Sequence, residues 1–567
     1  MMETFEGFKL SLLDYLHVEQ KMCKRDILEI NEMQREDKIE AGLMISNLVV
    51  LKSKDNVFVF KAIDNYSKLR SGDSVVLSKG GDSKKEKGVI IDTDIDTITV
   101  RVDNEIDSQS VYDMEIESPN LLGSLVSCLE GIVPATPGAA FLRILSGEEQ
   151  VKAESFLALN PHEINGFSEL YAQLSQEQQD AVESMLSFYP IHVLQGPPGT
   201  GKTLVLAATS IAASLKNREV VIIANTHQAV NNALMKIRQL SKDIPLFKIG
   251  EQLKADGLDK SINLFGKFSE FNEYSKNHRR KKKYGYVIGM TIWGAITNLG
   301  LRTHSHFRPY MALVDEASLM PLTYASVLGK CSPIICLFGD SRQMQPIFRP
   351  ELENNTLSVS ILDYCANKVE GVPVSVLPET HRMNKEITKL VSRSFYEPYG
   401  ITLRSAENIA NNCFLSSYMD KNGYVGSVFF ANPNISAPCC QEENEGEADA
   451  VVDMVKSLFE EGKKGGDIAV VTPFRKQVRL IRSKAKCFLD SNFLTHIDTV
   501  ERLQGQDVEC IILSFAASDE SFVKDRKDFI FNFNRLNVML SRAKTKIIIF
   551  ACSEIQKELK SLLKFNE

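Results

Sequence analysis

Long apolar runs are absent. No stretch of the 567 residues approaches the ~18 consecutive apolar positions of a membrane-spanning helix, so a helical span is excluded and no membrane partner is expected. The 11 cysteines include no C-x-x-C pair, which argues against a structural zinc site; odd in number and scattered, they read as buried, reduced thiols. Positive charge is not in excess either. With 66 Lys and Arg against 73 Asp and Glu, the net charge of −7 excludes a protein coated in basic surface but leaves room for a local basic groove. The opening residues Met1-Met2-Glu3-Thr4-Phe5-Glu6 lack the basic and apolar regions of a secretory leader, so the cytoplasm is the expected location, with the nucleus open.

What is present, 44% hydrophobic and 25% charged, is a globular composition, and the length suggests about three or four domains. The strongest local signal is Gln195-Gly196-Pro197-Pro198-Gly199-Thr200-Gly201-Lys202-Thr203, which fits G-x-x-x-x-G-K-[ST] in full. A short apolar strand, Ile191-His192-Val193-Leu194, precedes it, and an alanine-rich helical pattern from Leu204 to Leu215 follows. This is the setting of a phosphate-cradling P-loop. Glycines let backbone N–H groups turn toward the phosphates, the helix N-terminus adds its dipole, Lys202 supplies a point charge and the Thr203 hydroxyl can ligate Mg²⁺.

Taken in order, residues 1–40 read as a stalk helix, with Leu12, Leu16, Cys23, Ile27 and Ile30 on one stripe. Over 41–110 the hydrophobic period becomes two. Five short strands with turns such as Gly72-Asp73 suggest a small β-barrel that binds nucleic acid or packs as a spacer. Residues 111–150 form a second stalk segment, helical through Leu121, Leu122, Leu125 and Leu129. From 151 to 375 six apolar strands alternate with helices, the rhythm of a doubly wound parallel sheet. A polar, helical, basic insertion is expected at about 250–285, ending in Arg279-Arg280-Lys281-Lys282-Lys283. A second α/β series fills 376–567.

Val314-Asp315-Glu316-Ala317-Ser318 directly follows an apolar strand. Two carboxylates there can cap a helix, but downstream of a P-loop the aspartate holds Mg²⁺ and the glutamate activates the attacking water. Phosphoryl transfer also needs positive charge on the γ-phosphate; Arg382 and Arg542 are the candidates, with surface salt bridges as the ordinary alternative. The run containing Arg280 and Lys282 is either a solvated face or a strip along a phosphate backbone. Trp293, the single tryptophan, reads as core packing, with base stacking as the alternative.

The P-loop and the Asp315-Glu316 segment are followed by Gly339-Asp340-Ser341-Arg342-Gln343, Thr380-His381-Arg382-Met383, Leu503-Gln504-Gly505-Gln506-Asp507 and Arg535-Leu536-Asn537-Val538-Met539-Leu540-Ser541-Arg542-Ala543. In this order they resemble the motifs of superfamily 1 helicases, and most closely the B subgroup that includes the nonsense-mediated-decay and immunoglobulin-mu-binding-type helicases. The resemblance implies two RecA-like P-loop domains with parallel sheets, plus an N-terminal helical stalk carrying the small β-barrel. It implies ATP and Mg²⁺ as cofactors, single-stranded DNA or RNA as partner, 5′-to-3′ movement and a monomeric motor, with the stalk or barrel open to a protein partner. It also assigns roles. Gln178 reads adenine, His381 stands where the family usually has a stacking tyrosine, Gln343 senses the γ-phosphate, Arg382 and Arg542 close on it, and Gly505 with Asp507 line the cleft. Thr226, Thr291 and Pro473 fall where relatives touch the nucleic-acid backbone. Gln345-Pro346 departs from the usual surroundings of Gln343, and the insertion is shorter than the family's. An ATP-switched clamp on nucleic acid or protein, without strand separation, is therefore the alternative to a helicase or translocase.

Overall fold

The computed structural model describes residues 4–565 apart from 55, 63–66, 68, 70–72, 80–84, 94–96, 118–120, 153–158, 188, 251–254, 256, 279–283, 301–306, 308, 350–351, 354, 432–439 and 502–506. The chain opens on the helix Phe5–Glu32, started by Thr4, whose side chain accepts the Gly7 amide. Phe5, Phe8, Leu12 and Leu16 recur at three- and four-residue spacing and are buried with the helices Leu121–Glu130 and Pro137–Ser146 and one face of the first core. The apolar stripe read from sequence is buried only this far. Ile27 is exposed and Cys23 half-buried, because the distal half of the helix has no apolar partner among the described residues and meets the first core through polar contacts, Cys23 and Asp26 with Arg349.

Six antiparallel strands close that barrel in the order β1-β2-β5-β4-β3-β6: β1 Met44–Lys54, β2 Val57–Lys61, β3 Ser74–Lys79, β4 Lys85–Thr93, β5 Thr97–Val102 and β6 Val111–Ile116. Alternate residues such as Phe58, Phe60, Ile98 and Val100 fill the interior. The sixth strand runs past residue 110, into what the sequence assigns to the second stalk segment. It pairs with both β1 and β3 and so removes the open edge that five strands would leave.

The first core is a parallel sheet of eight strands: β7 Ile191–Gln195, β8 Val220–Ala224, β9 Leu246–Ile249, β10 Asn263–Phe265, β11 Val287–Thr291, β12 Met311–Val314, β13 Ile335–Gly339 and β14 Val374–Val376. Their order is β10-β9-β11-β8-β12-β13-β7-β14, and β7, β8, β11, β12 and β13 are buried throughout, as strands covered by helices on both faces must be. β9 and β10 are additions to the six strands read from sequence. Where a polar helical insertion is expected, Phe265 of β10 and Phe271 of the helix Phe268–His278 pack with Phe247 of β9 and with Tyr286, ring centroids 5.3–6.0 Å apart. Arg280 and Lys282 lie outside the described residues.

A short parallel pair, β15 Glu379–Thr380 and β16 Arg404–Ser405, leads into the second core. That core is a parallel sheet of β17 Val428–Ala431, β18 Ile468–Val471, β19 Ile497–Asp498, β20 Val508–Ser514 and β21 Ala543–Phe550, ordered β17-β21-β20-β18-β19. The first sheet meets the cleft between the cores with its carboxyl-end loops, the place where open α/β sheets put their ligand sites, and the second core faces it with Asp507 and Arg542, which immediately precede β20 and β21.

Candidate nucleotide site

The P-loop leaves β7 at Gln195 and ends at Gly201, which caps the helix Lys202–Leu215. Gly199 and Gly201 have φ of +75° and +87°, a region that side chains rarely adopt. At Gly199 space forbids a side chain as well: a Cβ would stand 2.4 Å from Arg382 Cβ and 2.6 Å from Thr380 Oγ1. The segment entering the second core therefore lies directly on the loop, held by Thr380 Oγ1 donating to the Pro198 carbonyl at 2.8 Å and the His381 amide donating to Gly199 at 2.9 Å.

Gly199, Thr200, Lys202, Thr203, Asp315, Glu316, Gln343, His381, Arg382, Asp507 and Arg542 line one cavity of about 920 Å³ between the cores. Lys202 Nζ donates to the Gly196 carbonyl, which folds the ammonium back over the loop. Across the cavity, Asp315 and Glu316 follow β12; Glu316 has φ +54°, an uncommon backbone state for a residue with a side chain and a mark of functional constraint. Burial and the neighbouring Glu316 raise the Asp315 carboxyl to about 7, partly offset by Lys202.

Two arginines arrive from the second core. Arg382 Nη2 is 2.7 Å from Asp507 Oδ1 and its Nη1 donates to the Ser541 carbonyl at 2.9 Å; Arg542 Nη1 lies 3.7 Å from the same aspartate oxygen. Burial and the charge of Arg382 pull Arg542 down to about 10, with Asp507 and Glu316 opposing. The Nε of each arginine is buried without a hydrogen-bond partner among the described residues. Two adjoining cations that share one carboxylate and keep orphaned donors form a site that fits an anion.

The other residues singled out from sequence are placed less uniformly. Gln178 is buried rather than at an exposed helix start. Its amide completes a capping box with Ser175 and donates to the Thr200 carbonyl at 3.1 Å, tying the preceding helix to the P-loop. His381 is half-exposed on the cavity wall, with Nε2 3.7 Å from Glu379. Thr226 and Thr291 accept the Ala229 and Gly294 amides as helix N-caps, and Thr291 and Pro473 are buried. Trp293 keeps 38% of its surface and meets Tyr324 edge-on, so it is not core packing alone. Gly505 lies outside the described residues. Sequence reasoning gave no role to Gln195, Asp340, Tyr396 or Asn537, which make a buried polar network beside the cavity. Three of these four lie in or beside motifs already quoted; Tyr396 carries no local signal.

Two family models, each described as an AAA domain, match residues 173–360 and 357–554. The "DNA replication ATP-dependent helicase/nuclease dna2" of Schizosaccharomyces pombe is 26% identical over 424 residues, covering 70% of this chain and 29% of that protein. The "Regulator of nonsense transcripts 1 homolog" of Neurospora crassa is 26% identical over 457 residues, covering 73% and 40%. The Bos taurus "DNA replication ATP-dependent helicase/nuclease DNA2" is 23% identical over 595 residues, covering 95% and 54%. The chain thus spans between 29% and 54% of the length of these relatives. Among solved structures, an arterivirus nonstructural protein 10, a helicase, aligns over 94% of this chain and 83% of its own, with 11% identity and a TM-score of 0.45.

Proposed function

We propose that this chain, which resembles the B subgroup of superfamily 1 helicases in its motifs and relatives, is an ATP-driven motor that moves 5′ to 3′ on single-stranded DNA or RNA. The arginine pair carries this reading. Arg382 and Arg542 come from one core and the P-loop and Glu316 from the other, so a triphosphate in the cavity would touch both cores at once. Water attacks the γ-phosphorus, the bond to the bridging oxygen breaks, and Glu316 takes the water proton. Lys202 and the two guanidiniums hold the phosphate charge, so loss of the γ-phosphate removes the anion that holds the cores together. Thr203 and Asp315 would hold Mg²⁺, which when bound neutralises phosphate charge. A buried carboxylate beside the phosphate-binding lysine suits that ion.

Asp315 gives the site a pH dependence. A protonated carboxyl does not ligate a divalent cation, and this group's carboxyl is raised to about 7. The gain in ATP affinity on adding Mg²⁺ should therefore be full well above neutrality and shrink as pH falls through about 7. Titration calorimetry with Mg²⁺ or EDTA on both sides of neutral pH measures it, with Asp315→Asn as the control for titration of ATP itself.

An ATPase titration with single-stranded DNA and RNA of matched length tests the main reading. About ten-fold stimulation or more by one of them is the expected result, in the range of conformational gating by a second ligand. No stimulation by either would sink the motor. The bonds that already join the cores, Thr380 to Pro198 and Tyr396 to Asp340, favour a second reading, an ATP-switched clamp. Stimulated hydrolysis without displacement of a 5′-tailed duplex would select it.

A further inference from the structure

The carboxylate of Asp340, 2% exposed, accepts four hydrogen bonds. Oδ1 receives Gln195 Nε2 at 2.8 Å and the Arg342 amide at 3.0 Å; Oδ2 receives Gln343 Nε2 at 2.8 Å and the Tyr396 hydroxyl at 2.6 Å. A carboxylate offers about four lone-pair positions, so this one is saturated. Three of the donors belong to the first core, and Gln195 immediately precedes the P-loop. The fourth belongs to the second core. The Tyr396 hydroxyl accepts Asn537 Nδ2 at 2.9 Å, and the same amide donates to the Arg342 carbonyl at 2.7 Å. Arg342 in turn lies over the ring of Tyr399. Burial and the Asp340 carboxylate push the Tyr396 phenol well above its ordinary range, which keeps the hydroxyl a donor.

We propose that Tyr396 is a positioning residue for ATP hydrolysis: by holding Asp340 from across the cleft, it sets Gln343 and Gln195 and links the second core to the phosphate-binding wall. The proposal rests on the ATPase reading given above. Its physical basis is the shared oxygen. Gln343 and Tyr396 donate to the same Oδ2, so any movement of Gln343 toward a phosphate changes the load on the bond from the second core. Conversely, rotation of the second core must either carry Asp340 along or leave a buried carboxylate one donor short.

Tyr396→Phe removes two hydrogen bonds, the one donated to the Asp340 carboxylate and the one accepted from Asn537, whose amide keeps the Arg342 carbonyl, and it leaves the ring in the core beside Phe395. Nucleic-acid-stimulated kcat should fall about ten-fold, the loss of one hydrogen bond to a buried charged group, while KM for ATP stays within about two-fold. Amide exchange over residues 340–345 of the nucleotide-free protein should quicken, with β8 and β20 unchanged. A variant that matches wild type in kcat or in exchange at 340–345 overturns the proposal, as does one that exchanges faster throughout. Should wild type itself fail to hydrolyse ATP, the motor reading falls. Exchange at 340–345 then decides alone whether Tyr396 holds the segment: faster exchange in the variant upholds the strut, equal exchange removes it.

Discussion

Replacing Glu316 with Gln is expected to lower kcat about 10³-fold, the range for loss of a positioned general base, while the protein goes on binding Mg-ATP. The amide has the shape of the carboxyl and leaves the strained turn after β12 in place, but it cannot take a proton from water. Lys202 and Asp315, which hold the phosphates and the ion in this reading, are untouched. Asp315 is in fact relieved. Glu316 is one of the two causes that raise its carboxyl, so a neutral neighbour lets Asp315 ionise at lower pH. The variant should therefore hold Mg-ATP at least as tightly as wild type, with its advantage growing below pH 7. Single-turnover hydrolysis alongside binding of a fluorescent ATP analogue separates the two effects. Unchanged turnover would remove Glu316 as the base.

The same site shows what a linear reading can and cannot reach. Phosphate-binding groups are legible because their chemistry demands particular residues at fixed spacing on one turn, as from Gly196 to Thr203. The longer buried strands of both cores, such as β8 and β20, are legible because a sheet covered on two faces must be apolar throughout, whereas the two-residue β19 is too short to read. β9 and β10 are not. They span four and three residues, too short for a period, and Lys248 interrupts the apolar run. Nor does sequence disclose that the region read as a polar insertion buries Phe268 and Phe271 and packs the half-buried Phe265 against Phe271, since these rings are spread among charged neighbours. The sixth barrel strand, β6, was hidden because what defines it is closure onto β1 and β3. Tyr396 is the clearest case: nothing near it in the chain marks it, and only apposition of the two cores brings its hydroxyl to Asp340. Thr226 and Thr291 show the converse, residues placed by analogy on a nucleic-acid path that locally serve as helix caps.

Arg542→Met should cost about 10³-fold or more in turnover, the range for removal of a transition-state arginine, and yet leave the melting temperature of the nucleotide-free protein nearly unchanged. Arg542 is a buried cation beside another cation, its guanidinium pulled down to about 10, so its charge brings little to the resting fold. An unbranched apolar side chain of similar reach fills the space and ends the repulsion, and Asp507 keeps Arg382 at 2.7 Å. Arg382→Met should behave differently. It breaks both the contact to Asp507 and the bond to the Ser541 carbonyl, and it leaves Arg542 facing Asp507 from 3.7 Å. Turnover and thermal stability should then fall together, because Arg382 also bridges the linking segment to the end of the helix Phe533–Ser541. Adding a non-hydrolysable ATP analogue with Mg²⁺ should raise the melting point of wild type more than that of either variant, since each lacks one of the two cations that the proposed mechanism sets on the γ-phosphate. Equal stabilisation of all three proteins would mean that the arginines do not reach the nucleotide, and the cleft would lose its second wall.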